Sequence, residues 1–281
     1  MKNVRKILAA LIALIIVFSL SACQRKKAPD NPTIRISTTT SVNDSGLLGK
    51  LQPEFEKKTG YKLEIQSAGT GAAIQKAKDG NADLILVHAK ASEEEFIKEG
   101  YGVKRLPFMY NYFVIVGPKS DPAKIADSKD AAEAFDKIRT AKQPFISRGD
   151  NSGTHKAELK IWKDNTPDPA AEEWYVSAGK GMGECLTMAK EKNAYCLTDK
   201  ATFLAMKEKG DLEIVLDKGE DMKNTYSLIK CNPDKLKGLN TEGADAFIEW
   251  MLSDEASALI EKYGVEEYGQ PLFFLIEDSQ K

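Results

Sequence analysis

Two histidines in 281 residues leave little material for a zinc site or for imidazole catalysis. Neither a CxxC pair nor a His-rich spacing occurs, so no metal is expected. A GxxxxGK[ST] segment is missing, which excludes a nucleotide P-loop, and Gly69-Thr70-Gly71, a GxG after a strand, is followed by Ile74 where a dinucleotide fingerprint needs Gly or Ala. No cofactor is therefore implied. There is no GxSxG nucleophile elbow. An excess of positive charge is lacking too, with 40 Lys and Arg against 42 Asp and Glu. Nucleic-acid binding calls for a basic patch or stripe and is not expected. The one long apolar run, "ILAALIALIIVF", has twelve residues. A membrane-spanning helix needs about 20.

That run follows "MKNVRK" and precedes "SLSAC", the charged, apolar, small-residue order of a secretory signal. Leu20-Ser21-Ala22-Cys23 resembles the lipobox of bacterial lipoproteins. The resemblance implies a signal over 1–22, cut before a lipid-bearing Cys23, and a chain held outside the cytoplasm on a membrane. "QRKKAPDNP" then reads as a tether through residue 31. Three of the 40 cations lie in the leader, which leaves 37 against 42 acids, a net charge of −5. An anion ligand would need a local site, because the body as a whole repels it. Export permits disulfides. Cys185, Cys196 and Cys231 are expected as buried thiols, with a Cys185–Cys196 bridge left open.

The folded part alternates strand and helix. "TIRIS" (33–37) is a strand, 38–46 a polar loop, and a helix follows from about Ser45 with Leu47, Leu48, Leu51 and Phe55 inward. Strands are expected at 62–67, 83–88, 110–118, 144–147, 194–198, 212–216 and 225–231, separated mainly by helices. "TPDPAAEEWYVSAG" (166–179) reads as a turn and a helix. Such βαβ order implies an α/β protein with a parallel sheet and flanking helices. Two lobes are expected, 32–116 plus 228–281 and 117–227, with crossover strands near 112–117 and 226–230. Ligands of open parallel sheets sit beyond the carboxyl ends of strands. Loops 38–45, 67–71 and 147–154 lie there, all rich in hydroxyls and glycine.

Helix starts usually carry Asp or Glu, because the first turn has unpaired N–H groups and partial positive charge. Two helices here do not. After Ser67-Ala68-Gly69-Thr70-Gly71 no acid comes before Asp79, and after Ser152-Gly153-Thr154 none comes before Glu158. Positive helix ends with hydroxyls and glycines suit an anion, and Arg148 adds a planar cationic fork. Simple capping by Ser or Thr is the plainer account of one such loop; two of them, with "TTTS" at 38–41, favour a ligand. A hydrolase would need Ser152, a histidine and an orienting acid in one constellation. His155 stands three residues from Ser152 and could cap or pack there, and His88 ends a buried strand as a core histidine. Asp150 is the one group in the loop that would suit protonated phosphate, but it is expected rather to orient Arg148 or to bond the loop backbone.

Together "STTTSVNDSGLL", "AGTGAAI", "MYNYFVIVGP", "SRGDNSGTHKAEL", "WYVSAGKGMG" and "YGVEEYGQPLF" resemble tungstate-binding proteins of the TupA type, over about 33–275. That family consists of extracytoplasmic solute-binding components of ABC importers. The resemblance implies a two-lobed periplasmic-binding-protein fold, a small oxyanion (tungstate, with molybdate beside it) held between the lobes, and ABC permease subunits as partners. It implies no catalysis. By position, Thr39, Thr40 and Ser41 come from the first loop, Thr70 and Gly71 from the second, and Arg148, Ser152, Gly153 and Thr154 from the other lobe. Cys185 stands where the family's pattern leads one to expect threonine. Phosphate transport and an exported serine hydrolase are the competing readings, and a surface lipoprotein without a ligand is a third.

Overall fold

The computed structural model describes residues 29–217, 219 and 222–276, and the folded body begins at Asn31. The signal over 1–22 and Cys23 lie outside the described residues. The strands are β1 (Thr33–Thr39), β2 (Lys62–Ala68), β3 (Leu84–Val87), β4 (Gly102–Pro118), β5 (Phe145–Ser147), β6 (Tyr175–Ser177), β7 (Tyr195–Asp199), β8 (Leu212–Leu216), β9 (Lys223–Cys231) and β10 (Phe274–Leu275). The helices are α1 (Thr40–Asp44), α2 (Leu47–Thr59), α3 (Thr70–Lys78), α4 (Lys90–Lys98), α5 (Ala131–Thr140), α6 (Gly153–Trp162), α7 (Met182–Lys192), α8 (Lys200–Ala205), α9 (Thr241–Met251), α10 (Asp254–Lys262) and α11 (Val265–Tyr268).

The sheet runs in the order β2-β1-β3-β9-β4-β7-β5-β6, with β8 and β10 added against β4. β1 pairs in parallel with β2 and β3, and β5 pairs in parallel with β6 and β7. Between these parallel blocks β9 and β4 run antiparallel to their neighbours. β4 serves both halves: Tyr112 pairs with Lys223 of β9, and the next residue, Phe113, pairs with Asp199 of β7. Its register shifts between Pro107 and Met109. A proline has no N–H to give a ladder, so a bulge beside it is the expected local answer.

Each half is a three-layer sandwich. In the first, Leu47, Leu51 and Phe55 of α2 meet Phe247 and Trp250 of α9 on one face, and Ala73, Ala77 and Phe96 cover the other. The inward spacing of 47, 48, 51 and 55 is the helical stripe seen in the sequence. In the second half Phe135 of α5 and Trp162 of α6 pack as tilted rings with centroids 4.2 Å apart, over Phe145. Met182, Cys185, Leu186 and Ala189 of α7 fill the opposite face.

Two expectations are corrected. Residues 40–44 are not loop but a one-turn helix, because Thr39 turns to extended backbone (φ −94°, ψ 154°) and caps Val42. The 166–179 segment forms no helix; it makes turns and then strand β6, drawn out by pairing with β5. Pro167 and Pro169 deprive that stretch of two amide donors. Cys185, Cys196 and Cys231 are buried free thiols, so Cys185 and Cys196 are not bridged.

Candidate functional site

Three loops at strand carboxyl ends build the site. After β1, Thr39 Oγ1 receives the Val42 N–H at 3.5 Å, and α1 has no acid in its first turn. After β2, α3 starts at Gly69 with neither a side-chain cap nor an acid. Gly69 suits this place because a Cβ there would stand 3.2 Å from Asp150 Oδ2. Thr70 is buried and Gly71 is exposed.

The third loop, Ser147 to His155, owes its composition to its geometry. Gly149 has φ +62°, and a Cβ would fall 2.0 Å from Ser177 Oγ. Asn151 also lies in the left-handed region, at φ +57°, where a short polar side chain is best tolerated. Asp150 holds the turn: Oδ1 accepts the Ser152 N–H at 3.1 Å and Oδ2 accepts Arg148 Nη2 at 2.5 Å. Ser152 then caps α6, its Oγ accepting the His155 N–H at 3.2 Å. No acid follows in that first turn either.

These loops meet. Ser41 Oγ and Thr154 Oγ1, from opposite halves, approach to 3.5 Å. Gly69 faces Asp150, and the His88 ring lies against Gly153, where a Cβ would be 2.6 Å away. Asp44 of α1 accepts a backbone hydrogen bond from Gly183 of α7. Within this closed junction Arg148 is only 1% exposed. Its Nη2 is held by Asp150, but Nε and Nη1 have no hydrogen-bond partner among the described residues, nor do the buried hydroxyls Thr40 Oγ1 and Thr70 Oγ1. A buried polar group without a partner costs about 1–3 kcal/mol. Such groups in a native fold therefore call for a partner from outside.

A second polar cluster lies directly behind. Asn224 Nδ2 donates to Asn111 Oδ1 at 2.9 Å and to Tyr226 Oη at 2.8 Å, so its Oδ1 faces His88 Nδ1 at 2.8 Å. That makes Nδ1 the protonated nitrogen, and Nε2 accepts from Thr39 Oγ1 at 3.1 Å. Burial and the charge of Arg148 push His88 down to about 4, while its bond to Asn224 opposes the shift; the ring is neutral at pH 7. Asn111 Nδ2 continues to Asp199 Oδ1 at 3.3 Å, and Thr202 links Asp199 to the carbonyl of Ser41. Thr39 thus enters the site as a cap whose hydroxyl proton is given to His88. Nothing in the sequence showed this tie, because its members are spread from Thr39 to Tyr226 and no local spacing connects them.

The hydrolase reading fails here. Ser152 Oγ accepts the backbone N–H of His155, not a bond from its ring, and the ring's Nδ1 is engaged by the Asn151 N–H at 3.0 Å. Glu158 sits deeper in the core, taking Tyr175 Oη at 2.7 Å and Trp162 Nε1 at 3.1 Å, with burial raising its carboxyl to about 7. Cys185, in the first turn of α7, is likewise raised by burial, to about 12, and stays a thiol.

The PBP superfamily domain model matches residues 24–255. The tungstate-binding protein TupA of Peptoclostridium acidaminophilum is 45% identical over 97% of this chain and 98% of its own. The chain belongs to the TupA family of the PBP superfamily. Another relative, TupA of Campylobacter jejuni, is 38% identical over 86% of this chain and 90% of its own length. Two solved structures share the architecture of this TupA-family chain. The tungstate ABC transporter structure from Geobacter sulfurreducens has a TM-score of 0.76 at 44% identity, covering 84% of this chain and 100% of that one. TupA from Desulfovibrio alaskensis G20 has a TM-score of 0.73 at 37% identity, covering 88% and 100%. The two-lobed fold is that of the PBP superfamily.

Proposed function

We propose that this protein captures tungstate between its lobes and delivers it to the permease of an ABC importer, as a carrier and not an enzyme. Relatives named as tungstate-binding proteins along nearly the whole chain support this. The single structural observation that carries it is that four of the eight buried side-chain polar atoms without a partner among the described residues, Arg148 Nε and Nη1, Thr40 Oγ1 and Thr70 Oγ1, belong to the three loops of this site. The two Arg148 nitrogens can only donate, and the two hydroxyls can each donate one proton. Both oxygens of Asp150 are already used, by Arg148 and by the Ser152 N–H. A fully deprotonated tetrahedral dianion such as tungstate or molybdate needs donors only, whereas phosphate keeps a proton near neutral pH and needs an acceptor as well.

Thr40, Ser41, Thr70 and Gly71 would supply one side of the cradle, and Arg148, Ser152, Gly153 and Thr154 the other. Thr39 would shape its loop. Backbone N–H groups at the starts of α3 and α6 add positive potential. We take the lobes as 32–116 plus 228–281 and 117–227, joined through β4 and β9; the pairing of β4 changes sheets at Tyr112 and Phe113. Binding to donors of both lobes favours the closed state over the open one. The protein acts outside the cytoplasm, and the lipobox-like segment supports anchoring through Cys23.

Calorimetry with native mass spectrometry tests the reading. One tungstate or molybdate per chain, undisturbed by a hundredfold excess of phosphate, is the expected result. Displacement by equimolar phosphate, or no oxyanion binding, would overturn it.

A further inference from the structure

A cavity adjoins the buried donors without being lined by them. It measures about 970 Å³ and touches the site at His88 and Gly153. Its walls come from both lobes, α4 with the residues just before it on one side and α6 on the other, and β4 and β9 form its floor. The lining carries Lys90, Arg105, Lys156, Lys160, Lys163 and Lys223 against a single carboxylate, Glu94. This density of positive charge stands on a body whose overall charge is negative.

Most of these cations are engaged. Arg105 pairs with buried Glu93 at 2.5 Å, Lys90 lies 3.7 Å from Glu94, Lys156 donates to Ser92 Oγ across the cavity, and Lys223 stands over the Tyr110 ring. Lys160 and Lys163 are exposed, and their side chains have no hydrogen-bond or ion-pair partner among the described residues. Lys156 and Lys160 are one helical turn apart on α6, the helix whose first turn belongs to the oxyanion site. Beside them Ala157, Ile161 and Phe113 supply apolar wall. Positive charge against low-dielectric walls focuses the field and raises the local concentration of anions.

We propose that this cavity is a collecting port for oxyanions, a weak and exchangeable anion site from which the dianion passes to the buried donors when the lobes part along Ser41 and Thr154. The proposal rests on the capture reading above and adds residues that touch the ligand only in transit. Charges used in this way speed association and leave dissociation alone, since the bound anion is enclosed by other groups. Salt abolishes the effect, because the Debye length falls from about 10 Å at 0.1 M to about 3 Å at 1 M.

The test compares Lys160→Gln/Lys163→Gln with the wild-type chain in stopped-flow tungstate binding. At low ionic strength the association rate should fall about 10-fold, the low end of what such steering supplies. The dissociation rate should be unchanged, and the difference should vanish near 1 M salt. Lys160→Arg/Lys163→Arg should associate like wild type, because charge and not lysine is required. An unchanged association rate at low salt would overturn the port, as would a loss that persists at high salt or appears in dissociation. Failure of the wild-type chain to bind tungstate in calorimetry would instead overturn the capture reading itself, which separates the two failures.

Discussion

Two buried polar clusters lie back to back in this molecule and obey opposite rules. Behind the site, the chain from Thr39 through His88, Asn224, Asn111 and Asp199 to Thr202 satisfies each member within the protein. In front, Arg148, Thr40 and Thr70 keep donors that no described residue meets. The polar atoms concerned are buried in both clusters, so dielectric does not separate them. What differs is the kind of group left over. A satisfied network rigidifies the fold, whereas a set of unmet donors stores affinity for an acceptor. Mutations in the two clusters should therefore separate binding from stability.

The largest effect is expected at Arg148. Arg148→Ala should weaken tungstate binding on the order of a hundredfold or more by calorimetry, as truncating one partner of a buried charged contact costs about 2–5 kcal/mol. Lysine should not restore it, since it lacks the fork. Wild-type affinity in Arg148→Ala would erase the distinction between the clusters. Gly153→Ala comes next. Its Cβ would meet a His88 ring fixed on both nitrogens, and overpacking of this kind costs roughly 1–3 kcal/mol. Affinity should fall about tenfold, with lobe closure less complete by small-angle scattering.

Thr70→Val and Asn111→Leu form the sharpest pair. Thr70→Val removes an unmet hydroxyl, so affinity should drop up to about tenfold while the melting temperature holds or rises. Asn111→Leu strands Asn224 and Asp199, so thermal unfolding should reveal a loss of about 1–3 kcal/mol in the ligand-free protein. Stability losses of equal size in both variants would break the comparison. The smallest effect concerns pH. Burial raises the Glu158 carboxyl to about 7 and that of Asp199 to about 6, above the ordinary 4.5 and 3.8. Their folded-state preference is for the protonated form. Stability from them is present in full below the ordinary values and is lost as pH rises through about 6 and 7. Melting temperature should decline over that window, and Glu158→Gln with Asp199→Asn should flatten the decline.

Much of this was readable in advance, for physical reasons. Helix starts without acids after β2 and β5 announced an unusual demand on those N–H groups, and "SRGDNSGTH" named the fork, the turn acid and the cap in one stretch. Local chemistry shows itself in local sequence. The helix over 40–44 hid behind polar residues, because one capped turn has no apolar period to betray it. Strand β6 hid for a different reason: three residues, Tyr175–Ser177, are too short a run to show an alternation, and the pairing with β5 that draws them out is not local. His88 read correctly as a buried histidine, but its grip on Thr39 depends on Asn224 and Asn111, which only the sheet brings near. The cavity of lysines was equally invisible, since α4, α6 and β9 contribute to it from distant parts of the chain.

The shift in β4 between Pro107 and Met109 has a consequence for how the protein would look to solvent deuterium. One strand of 17 residues would behave as two. Amides of Phe113 and Val114, buried and in regular register with β7, should exchange only with global unfolding. Those flanking Pro107, where the ladder loses its register, should exchange by local opening. A continuous β-strand can thus be stiff where it carries a lobe and pliant a few residues away.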